Sequence, residues 1–442
     1  MADALTAARE TRALEVGAGV LSRTAAVFQK EFPGKKALVV ADPTTFAIAG
    51  QTVLSNLRAA NLAPAEPYLL NDPDLHAEFR FVEELETAFR KTDATPVAVG
   101  SGAINDLVKL AAHRVGRAYL CVATAASMDG YTAFGASITF RGSKQTFECP
   151  APVAVIADIE IIRRAPPEMT ASGYADLLAK VTAGADWILA DALEIESIDP
   201  RAWSIVQGGL RDALADPAGA RAGDATAIGG LIEGLLLGGF AMQWARSSRP
   251  ASGAEHQFSH LWDMEHHVHN GVAPSHGFKV GVATLAVTGF YEEILRQPLE
   301  NLDVAKRCAA WPTLAEQEAA VEKLFAGTEF IGRALEETRA KYIDAKALGR
   351  QLELLKQRWP EIRARVREQL LPLTDLRQRL SRVGAPVSPE EIGLTSARVR
   401  TSFIRAYHIR RRFTVLDLAV RTGLLEPSLA AIYPAPASTS AQ

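Results

Sequence analysis

The sequence has few of the features that mark secreted, membrane-spanning or nucleic-acid-binding proteins. Only three of its 442 residues are cysteine, which excludes a disulfide framework and is typical of a reducing cytoplasm. Its 48 lysines and arginines are outnumbered by 51 aspartates and glutamates, so no basic surface for nucleic acid is indicated. The first residues, MADALTAARETRAL, lack an apolar core, and we expect no signal peptide.

Long apolar segments are also scarce. The most apolar one, Ala225–Ala245, is long enough to cross a membrane, but it contains Glu233 and five glycines. Because no second such segment accompanies it, we predict a buried core helix and no membrane span.

Strand and helix patterns alternate in the first part of the chain. Apolar runs predict strands at residues 14–19, 35–42 and 68–70, in the run PVAVG that ends at Gly100, and in the runs AYLCVAT and APVAVIAD. Helical spacing follows most of them, as at Phe79–Arg90. This order predicts a Rossmann-like α/β domain with a mostly parallel sheet, whose ligands bind at the carboxyl ends of the strands.

The strand pattern stops near residue 168. Apolar residues then recur at helical spacing over residues 171–192, 225–247, 314–340 and 345–370, and the sequence SPEE places a helix N-cap at Ser388. We therefore predict an α/β domain over residues 1–168, an all-helical domain over 169–432 and a disordered tail over 433–442. A helical domain of this size is compatible with a homodimer.

Two turns at predicted strand ends are candidate ligand sites. Gly100, Ser101 and Gly102 open a helix whose free N–H groups suit a phosphate, although the third glycine of the common dinucleotide fingerprint is missing. Asp42 ends an earlier strand, where a carboxylate suits a ribose hydroxyl and disfavours a 2′-phosphate. Ordinary strand-end turns would have the same residues.

Histidines are concentrated in one stretch, since six of the nine lie between residues 253 and 281. His256 and His260 are four residues apart and share one face of a helix, and His276 follows in a Pro-Ser-His-Gly turn. Imidazole is a common metal ligand, but a polar helix end with solvent-facing histidines has the same spacing. Asp176 and Lys180 are also four apart, which suits a surface ion pair or a carboxylate ligand for the same metal.

Several separated motifs together resemble the sn-glycerol-1-phosphate dehydrogenases, particularly their bacterial branch. The segments are VGSGAIND, TAASMDGYTAFGASI, VIADIEII, GYADLLAK and GAEHQFSHLWDME with PSHGFKVG, and the resemblance covers about residues 14 to 430. That family shares a fold with iron-containing alcohol dehydrogenases, glycerol dehydrogenase and dehydroquinate synthase. The resemblance implies a metal-dependent, NAD(P)H-linked and reversible reduction of dihydroxyacetone phosphate to sn-glycerol 1-phosphate.

The resemblance also implies roles for individual residues. The turn at Gly100, Ser101 and Gly102 is similar to the pyrophosphate loop, Thr124 and Ser127 match contacts to the nicotinamide half of the cofactor, and Asp129 and His260 match substrate contacts with a catalytic role. Asp176, His256 and His276 match the ligands of one divalent metal (zinc, nickel or iron), which brings Asp176 next to the substrate. His266, His267 and His269 match no functional position.

Two points depart from or extend the family pattern. Many members have a serine four residues after the aspartate of the S-x-D-G loop, where this chain has Ala133 beside Thr132. The substrate phosphate needs cations, for which we predict Lys279 and, more weakly, Lys180, although both are compatible with plain surface lysines. With Asp42 at its strand end, we expect a preference for NAD.

Three other functions fit parts of the sequence. A sugar-phosphate cyclase similar to dehydroquinate synthase also holds NAD and a metal but consumes no net NADH. A polyol or alcohol dehydrogenase would act on an unphosphorylated substrate. A catalytically silent relative would bind nucleotide as an interaction module, which the intact set Asp176, His256 and His276 argues against.

Overall fold

The computed structural model describes residues 1–140 and 143–434 of the chain. All described strands lie before residue 160, as the α/β prediction requires. They are, as β1 to β8 in chain order, Ala13–Gly17, Ala37–Ala41, Tyr68–Leu69, Thr95–Gly100, Leu120–Ala123, Ala136–Phe140, Ser143–Phe147 and Ala154–Asp158.

Six of these strands form one parallel sheet in the order β1-β8-β5-β4-β2-β3. The central strands β2, β4, β5 and β8 are buried along their whole length, which is why they read as continuous apolar runs. Val40 of β2 pairs with Ala98 of β4, and Gly100 pairs with Ala123 of β5. The turns after β2, β4 and β5 therefore meet at one edge of the sheet.

The remaining two strands form an antiparallel hairpin, β6–β7, which the sequence analysis did not predict. Ala136 pairs with Phe147 and Ser137 with Thr146. The hairpin leaves the α/β half and β7 packs beside the helix Ala254–Met264. It thus brings Lys144 from the sheet half toward the histidine-rich helix.

Helices cover the sheet and make up the rest of the described chain. The α-helices are, as α1 to α23 in chain order, Ala2–Ala7, Thr24–Glu31, Pro43–Thr45, Gln51–Ala59, Phe79–Arg90, Gly102–Arg114, Ile159–Ile162, Pro167–Leu178, Lys180–Ala192, Pro200–Gln207, Leu210–Ala213, Pro217–Ala222, Ala225–Ala245, Ala254–Met264, His276–Ile294, Val304–Ala309, Leu314–Leu324, Ile331–Lys341, Ala345–Gln369, Leu373–Val383, Ser396–Ala406, Val415–Thr422 and Leu425–Ile432. Short 3₁₀ turns lie at Val20–Arg23, Gly130–Thr132, Arg249–Ala251, Leu299–Asn301 and Pro389–Ile392, and a π-turn lies at Phe46–Gly50.

This architecture confirms the predicted fold class, while three helix predictions were wrong in detail. The helix predicted over 171–192 is two helices, α8 and α9, which are separated at Ala179. The single helix predicted over 314–340 is two helices, α17 and α18, because Gly327 adopts a left-handed φ of +79° between them. Ser388 makes no side-chain cap, and the SPEE sequence opens only a 3₁₀ turn that ends at Gly393 with φ of +75°.

The apolar helix α13 is a core element in this structure. By length and hydropathy it is the one described helix that passes a test for a membrane span, and 61% of its apolar window is buried inside the protein. It packs against α8, α10 and the turn Gly130–Thr132. The burial is what the prediction of a core helix required.

Two glycines allow close backbone contacts beside the sheet edge. A Cβ on Gly173 of α8 would lie 1.9 Å from the carbonyl oxygen of Ala126, in the loop after β5. A Cβ on Gly277 of α15 would lie 1.8 Å from the carbonyl oxygen of Ser172 in α8. Only glycine permits these contacts, which bring α8 against the loop that carries Asp129 and α15 against α8.

The domain limits at residues 168 and 432 stay predictions. The last described residues include Tyr433, whose ring lies 6.1 Å from that of Phe403 and is partly buried in the helical core. Residues 435–442 of the predicted tail lie outside the described residues.

We expect Gly173→Ala to lower the stability of the protein by about 1–3 kcal/mol, because the added methyl group forces α8 away from a backbone carbonyl. The matched control is Gly332→Ala in α18, where the Cβ would meet nothing within 4 Å and where alanine favours the helix by about 1 kcal/mol. Unfolding midpoints measured for both variants under identical conditions check this. Equal midpoints for wild type and Gly173→Ala would contradict the close approach.

Candidate active site

A cleft of about 310 Å³ lies between the carboxyl edge of the sheet and the helical part. The sheet half contributes Gly102 and the loop after β5, and the helical half contributes residues from α14 and α15. The polar and charged side chains that line it are Asp106, Asp129, Ser137, Lys144, Thr146, Ser248, Ser252, His256, His260, His276 and Arg410.

Three of the predicted metal ligands converge beside this cleft. Asp176 is on α8, His256 on α14 and His276 at the first position of α15, and one donor atom of each lies within 4.8 Å of the others. The distance from His256 Nε2 to Asp176 Oδ1 is 3.5 Å. In the part of the chain that the structure describes, this is the only group of three or more histidine, cysteine or acidic residues with such spacing.

The imidazole of His256 is held by a neighbouring carboxylate that the sequence analysis missed. Glu255 Oε1 lies 2.8 Å from His256 Nδ1 and also accepts a hydrogen bond from Gly253 N, while Glu255 Oε2 accepts one from Thr182 Oγ1 at 2.8 Å. Burial by itself would raise the pKa of Glu255, but these partners hold it below its ordinary value. The ionised carboxylate therefore fixes a proton on Nδ1 and turns Nε2 toward Asp176. Burial by itself would lower the pKa of His256, but Asp176 and Glu255 hold it above its ordinary value, so a metal ion at Nε2 would displace a proton.

The imidazole of His276 is less constrained. Its Nδ1 lies 3.4 Å from Ser259 Oγ, and its ring centre is 5.4 Å from that of His256. Burial lowers the pKa of His276 to about 3, so its ring is neutral and has a lone pair to offer.

The predicted substrate histidine, His260, lies one helical turn beyond His256 and lines the same cleft. Its ring centre is 6.4 Å from those of His256 and His276. Burial, followed by the positive charge of Arg410, lowers the pKa of His260 well below its usual range. It therefore presents a neutral ring with one N–H donor and one acceptor nitrogen.

Asp176 and Asp129 share a buried lysine. Lys180 Nζ lies 2.9 Å from Asp176 Oδ1 and 2.7 Å from Asp129 Oδ2, and Asp129 N donates to Asp176 Oδ2 at 3.1 Å. Burial would raise the pKa of Asp176, but Lys180 and His256 hold it well below its ordinary value. Lys180 thus forms ion pairs with both carboxylates and is not among the residues that line the cleft.

The loop that carries Asp129 is shaped by Lys109, another residue that sequence reasoning missed. Lys109 Nζ donates to the carbonyl oxygens of Gly130, Ala133 and Gly135 at 2.9, 3.0 and 3.0 Å. Lys109 belongs to α6, the helix that begins at Gly102. A buried lysine within a helix gives no signal in the sequence that would distinguish it from a surface one.

The predicted cofactor residues lie together at the sheet edge. Gly100 ends β4, Ser101 is the N-cap residue of α6 without a side-chain cap hydrogen bond, and Thr124 N donates to Gly100 O at 3.1 Å. Because no side chain caps α6, its first amide groups stay available to a phosphate. Ser127 Oγ lies 3.4 Å from Tyr131 OH, in the loop between β5 and Asp129.

Asp42 follows β2 at the level of Gly100 on the neighbouring strand. Its carboxylate caps α3 by accepting hydrogen bonds from Thr44 N, Thr45 N and Thr45 Oγ1 at 2.8, 2.9 and 2.9 Å. The cap fixes the carboxylate in place at the sheet edge.

Two further predicted positions have local partners instead of facing the cleft. Thr132 is fully buried and its hydroxyl donates to Leu236 O at 2.7 Å, so it does not replace the family serine, whereas Ala133 lines the cleft. Lys279 is 3% exposed, forms an ion pair with Asp263 and is not among the lining residues.

The cations that do line the cleft are Lys144 and Arg410, and sequence reasoning missed both. Lys144 is on β7 of the unpredicted hairpin, and Arg410 is the first of three consecutive arginines after α21. Nothing in a run of arginines tells which one points inward.

Comparisons with known proteins are consistent with this geometry. Residues 15–166 match the family model described as iron-containing alcohol dehydrogenase. A protein from Halalkalibacterium halodurans named glycerol-1-phosphate dehydrogenase (NAD(P)+) is 33% identical over 288 residues, which are 64% of this chain and 72% of that protein. A protein of the same name from Geobacillus thermodenitrificans is 30% identical over 387 residues, 86% of either chain.

Among solved structures, sulfoacetaldehyde reductase from Bifidobacterium kashiwanohense in complex with NAD+ has a TM-score of 0.60 to this chain at 15% identity. The match covers 97% of this chain and 98% of that one. At such identity the likeness concerns the fold alone.

We expect Glu255→Gln to weaken divalent-metal binding by roughly 10- to 100-fold, because the amide no longer fixes the His256 tautomer. The matched control is Glu337→Gln, a buried glutamate that instead pairs with Arg411 in the helical region. Competition with a chromogenic chelator measures both affinities without any turnover. An affinity of Glu255→Gln equal to that of the control would refute the orienting role.

Proposed function

Because the chain belongs to the glycerol-1-phosphate dehydrogenase family, we propose that it catalyses the metal-dependent, reversible reduction of dihydroxyacetone phosphate to sn-glycerol 1-phosphate with NAD(P)H. The protein is an oxidoreductase. In the reaction a hydride passes from the nicotinamide to the carbonyl carbon and a proton reaches the carbonyl oxygen. The observation that carries the proposal is the convergence of Asp176, His256 and His276 on a cleft beside the sheet edge.

The three donors fit a divalent metal on chemical grounds. They offer one carboxylate oxygen and two imidazole nitrogens within 4.8 Å of one another, the neutral His276 has a lone pair available, and Glu255 orients the ring of His256. Two histidines and one carboxylate suit zinc, nickel or ferrous iron. When bound, such an ion supplies Lewis-acid polarisation of the substrate carbonyl.

The other residues of the cleft bind and orient the substrate. Lys180 holds Asp129 Oδ2, which fixes the carboxylate and leaves Oδ1 as an acceptor for a substrate hydroxyl. His260, on α14, presents its neutral ring to the same cleft. Lys109 stabilises the loop of Asp129 through hydrogen bonds to its carbonyl oxygens.

The cofactor is proposed to bind along the sheet edge. Its pyrophosphate lies at the start of α6, at Gly100, Ser101 and Gly102, and the nicotinamide half lies near Thr124 and Ser127, next to the cleft. We further propose a preference for NAD, because Asp42 places a negative charge beside the turn at Gly100.

Two properties of the assembled protein remain proposals as well. A cytoplasmic location agrees with cysteines that form no disulfide, since Cys121 and Cys149 are buried as free thiols. A homodimer is compatible with the size of the helical part, and light scattering during gel filtration measures it.

The reaction is tested by NADH oxidation, followed by absorbance, with metal-loaded protein and dihydroxyacetone phosphate. We expect oxidation that a chelator abolishes and a product that is the sn-1 phosphate. A parallel reaction with glycerol and NAD tests the polyol alternative. Failure to consume NADH with zinc, nickel or iron would overturn the proposal and favour a cyclase, which has no net NADH demand.

Variants separate the proposed metal ligands from the substrate contact. Asp176→Ala and His276→Ala should each lose a metal ligand, so both retained metal after dialysis and turnover should fall to background. His260→Ala should retain a full equivalent of metal and lose turnover. Metal analysis and the NADH assay on the same samples check this, and normal metal content in Asp176→Ala or His276→Ala would remove that residue from the site.

The cofactor preference is tested with Asp42→Asn. Asparagine caps helices as well as aspartate does, so the variant removes the charge and keeps the turn. We expect the ratio of kcat/KM for NADH to that for NADPH to fall. Asp303→Asn, at the N-cap of α16 away from the sheet edge, is the matched control. An unchanged ratio in Asp42→Asn would exclude the carboxylate as the source of the preference.

A further inference from the structure

A second cleft, of about 450 Å³, adjoins the catalytic one. Four residues line both, namely Lys144, Thr146, His260 and Arg410. Lys144 and Arg410 therefore lie where the two clefts meet, and His260 belongs to the same wall. The outer cleft adds one more cation, Arg333, whose side chain is 51% exposed.

Arg410 has no carboxylate partner within ion-pair distance among the described residues. With the described part of the chain its side chain makes one hydrogen bond, a long one of 3.4 Å from Nη1 to Ser252 Oγ. The next residue is different, because Arg411 pairs with Glu337 and Glu336 at 2.8 and 3.0 Å. Burial lowers the pKa of Arg410 to about 10, which leaves the guanidinium charged at neutral pH.

Arg410 is half-buried. A partly desolvated cation without a counterion is costly, and an anionic ligand offsets that cost when it binds. The planar guanidinium also matches the geometry of a phosphate, to which it can donate two parallel hydrogen bonds. Arg410 thus has the charge and the free donors expected of a phosphate ligand.

Lys144 is available in the same way. Its Nζ lies 4.0 Å from Asp263 Oδ2, at the limit of an ion pair, and Asp263 Oδ1 is already bound by Lys279. Asp263 Oδ2 is buried without a hydrogen bond, so Lys144 does not satisfy it. One carboxylate, Asp263, thus faces two lysines, so their positive charge is only partly offset and Lys144 can still attract an anion in the cleft.

The positions of these cations also suit the substrate. The donor residues His256 and His276 line the catalytic cleft, Lys144 and Arg410 line it where it meets the second cleft, and His260 lines both. A three-carbon ketone phosphate in this cleft can thus bring its carbonyl to the donors and its phosphate to the cations. Lys144 comes from the sheet half and Arg410 from the helical half, so the phosphate would link the two.

We infer that Lys144 and Arg410 bind the phosphate of the substrate and thereby select a phosphorylated over an unphosphorylated ketone. This inference rests on the proposed function and replaces Lys279 and Lys180 as the phosphate ligands. Lys279 instead acts on Asp263, and Lys180 acts on the two carboxylates beside the metal donors.

The test compares two substrates, dihydroxyacetone phosphate and dihydroxyacetone, in Lys144→Met and Arg410→Met. Losing one charge-assisted contact should lower kcat/KM for the phosphorylated ketone by roughly 10- to 100-fold more than that for dihydroxyacetone. Arg411→Met, an exposed neighbour that points to Glu336 and Glu337, and Lys30→Met on α2 are the matched controls. Arg410→Lys, which keeps the charge without the fork, should recover part of the loss.

Binding separates this inference from the proposed reaction. Calorimetry with dihydroxyacetone phosphate on the metal-loaded protein should show weaker binding in both variants and unchanged binding in both controls. Unchanged affinity and an unchanged substrate ratio in Lys144→Met and Arg410→Met would overturn the inference while leaving the reaction intact. If the wild type binds the phosphorylated ketone through these residues but never oxidises NADH, the reaction fails and the phosphate site stands.

Discussion

A buried ammonium group ties the two parts of the active site together. Lys180 Nζ contacts Asp129 from the sheet edge and Asp176 from the helical half, at 2.7 and 2.9 Å. Burying two carboxylates without a cation would cost several kcal/mol each, so Lys180 is what allows both to lie in the closed interior. Lys180 alone does not balance the charge, because Asp129, Asp176 and Glu255 bring three negative charges against its single positive charge. A divalent cation beside Lys180 restores neutrality, which is a physical reason for the metal site to form here.

Much of the fold follows from local sequence patterns. Strands buried on both faces read as apolar runs, and Phe79–Arg90 has the amphipathic spacing of the helix it forms. The failures have equally local causes. The hairpin β6–β7 lies in a stretch that resembles a ligand loop, and its strands mix apolar with polar residues and form no continuous apolar run. The break at Gly327 depends on a left-handed backbone that an apolar periodicity does not reveal.

The residues of the site could be predicted only where sequence motifs identified them. Asp176 and His276 are 100 residues apart, and no spacing rule joins them; the family resemblance did, and the structure brings the same residues within 4.8 Å. Glu255 and Lys109 were missed because their roles arise from hydrogen bonds to Gly253, Thr182 and three loop carbonyls, which exist only after folding. Lys279 was predicted to bind the substrate phosphate because it lies three residues after His276. In the structure it instead forms an ion pair with Asp263.

The fold itself does not decide the substrate, because the same architecture occurs in a solved structure named sulfoacetaldehyde reductase. What distinguishes substrates must therefore lie in the side chains that line the cleft. In this chain they include a half-buried guanidinium without a carboxylate partner among the described residues and a lysine that shares its acidic neighbour with another lysine. A cleft with such side chains is electrostatically incomplete until an anion enters it. The proposed selectivity for a phosphate thus follows from the same requirement for charge balance that favours a metal ion at Asp176, His256 and His276.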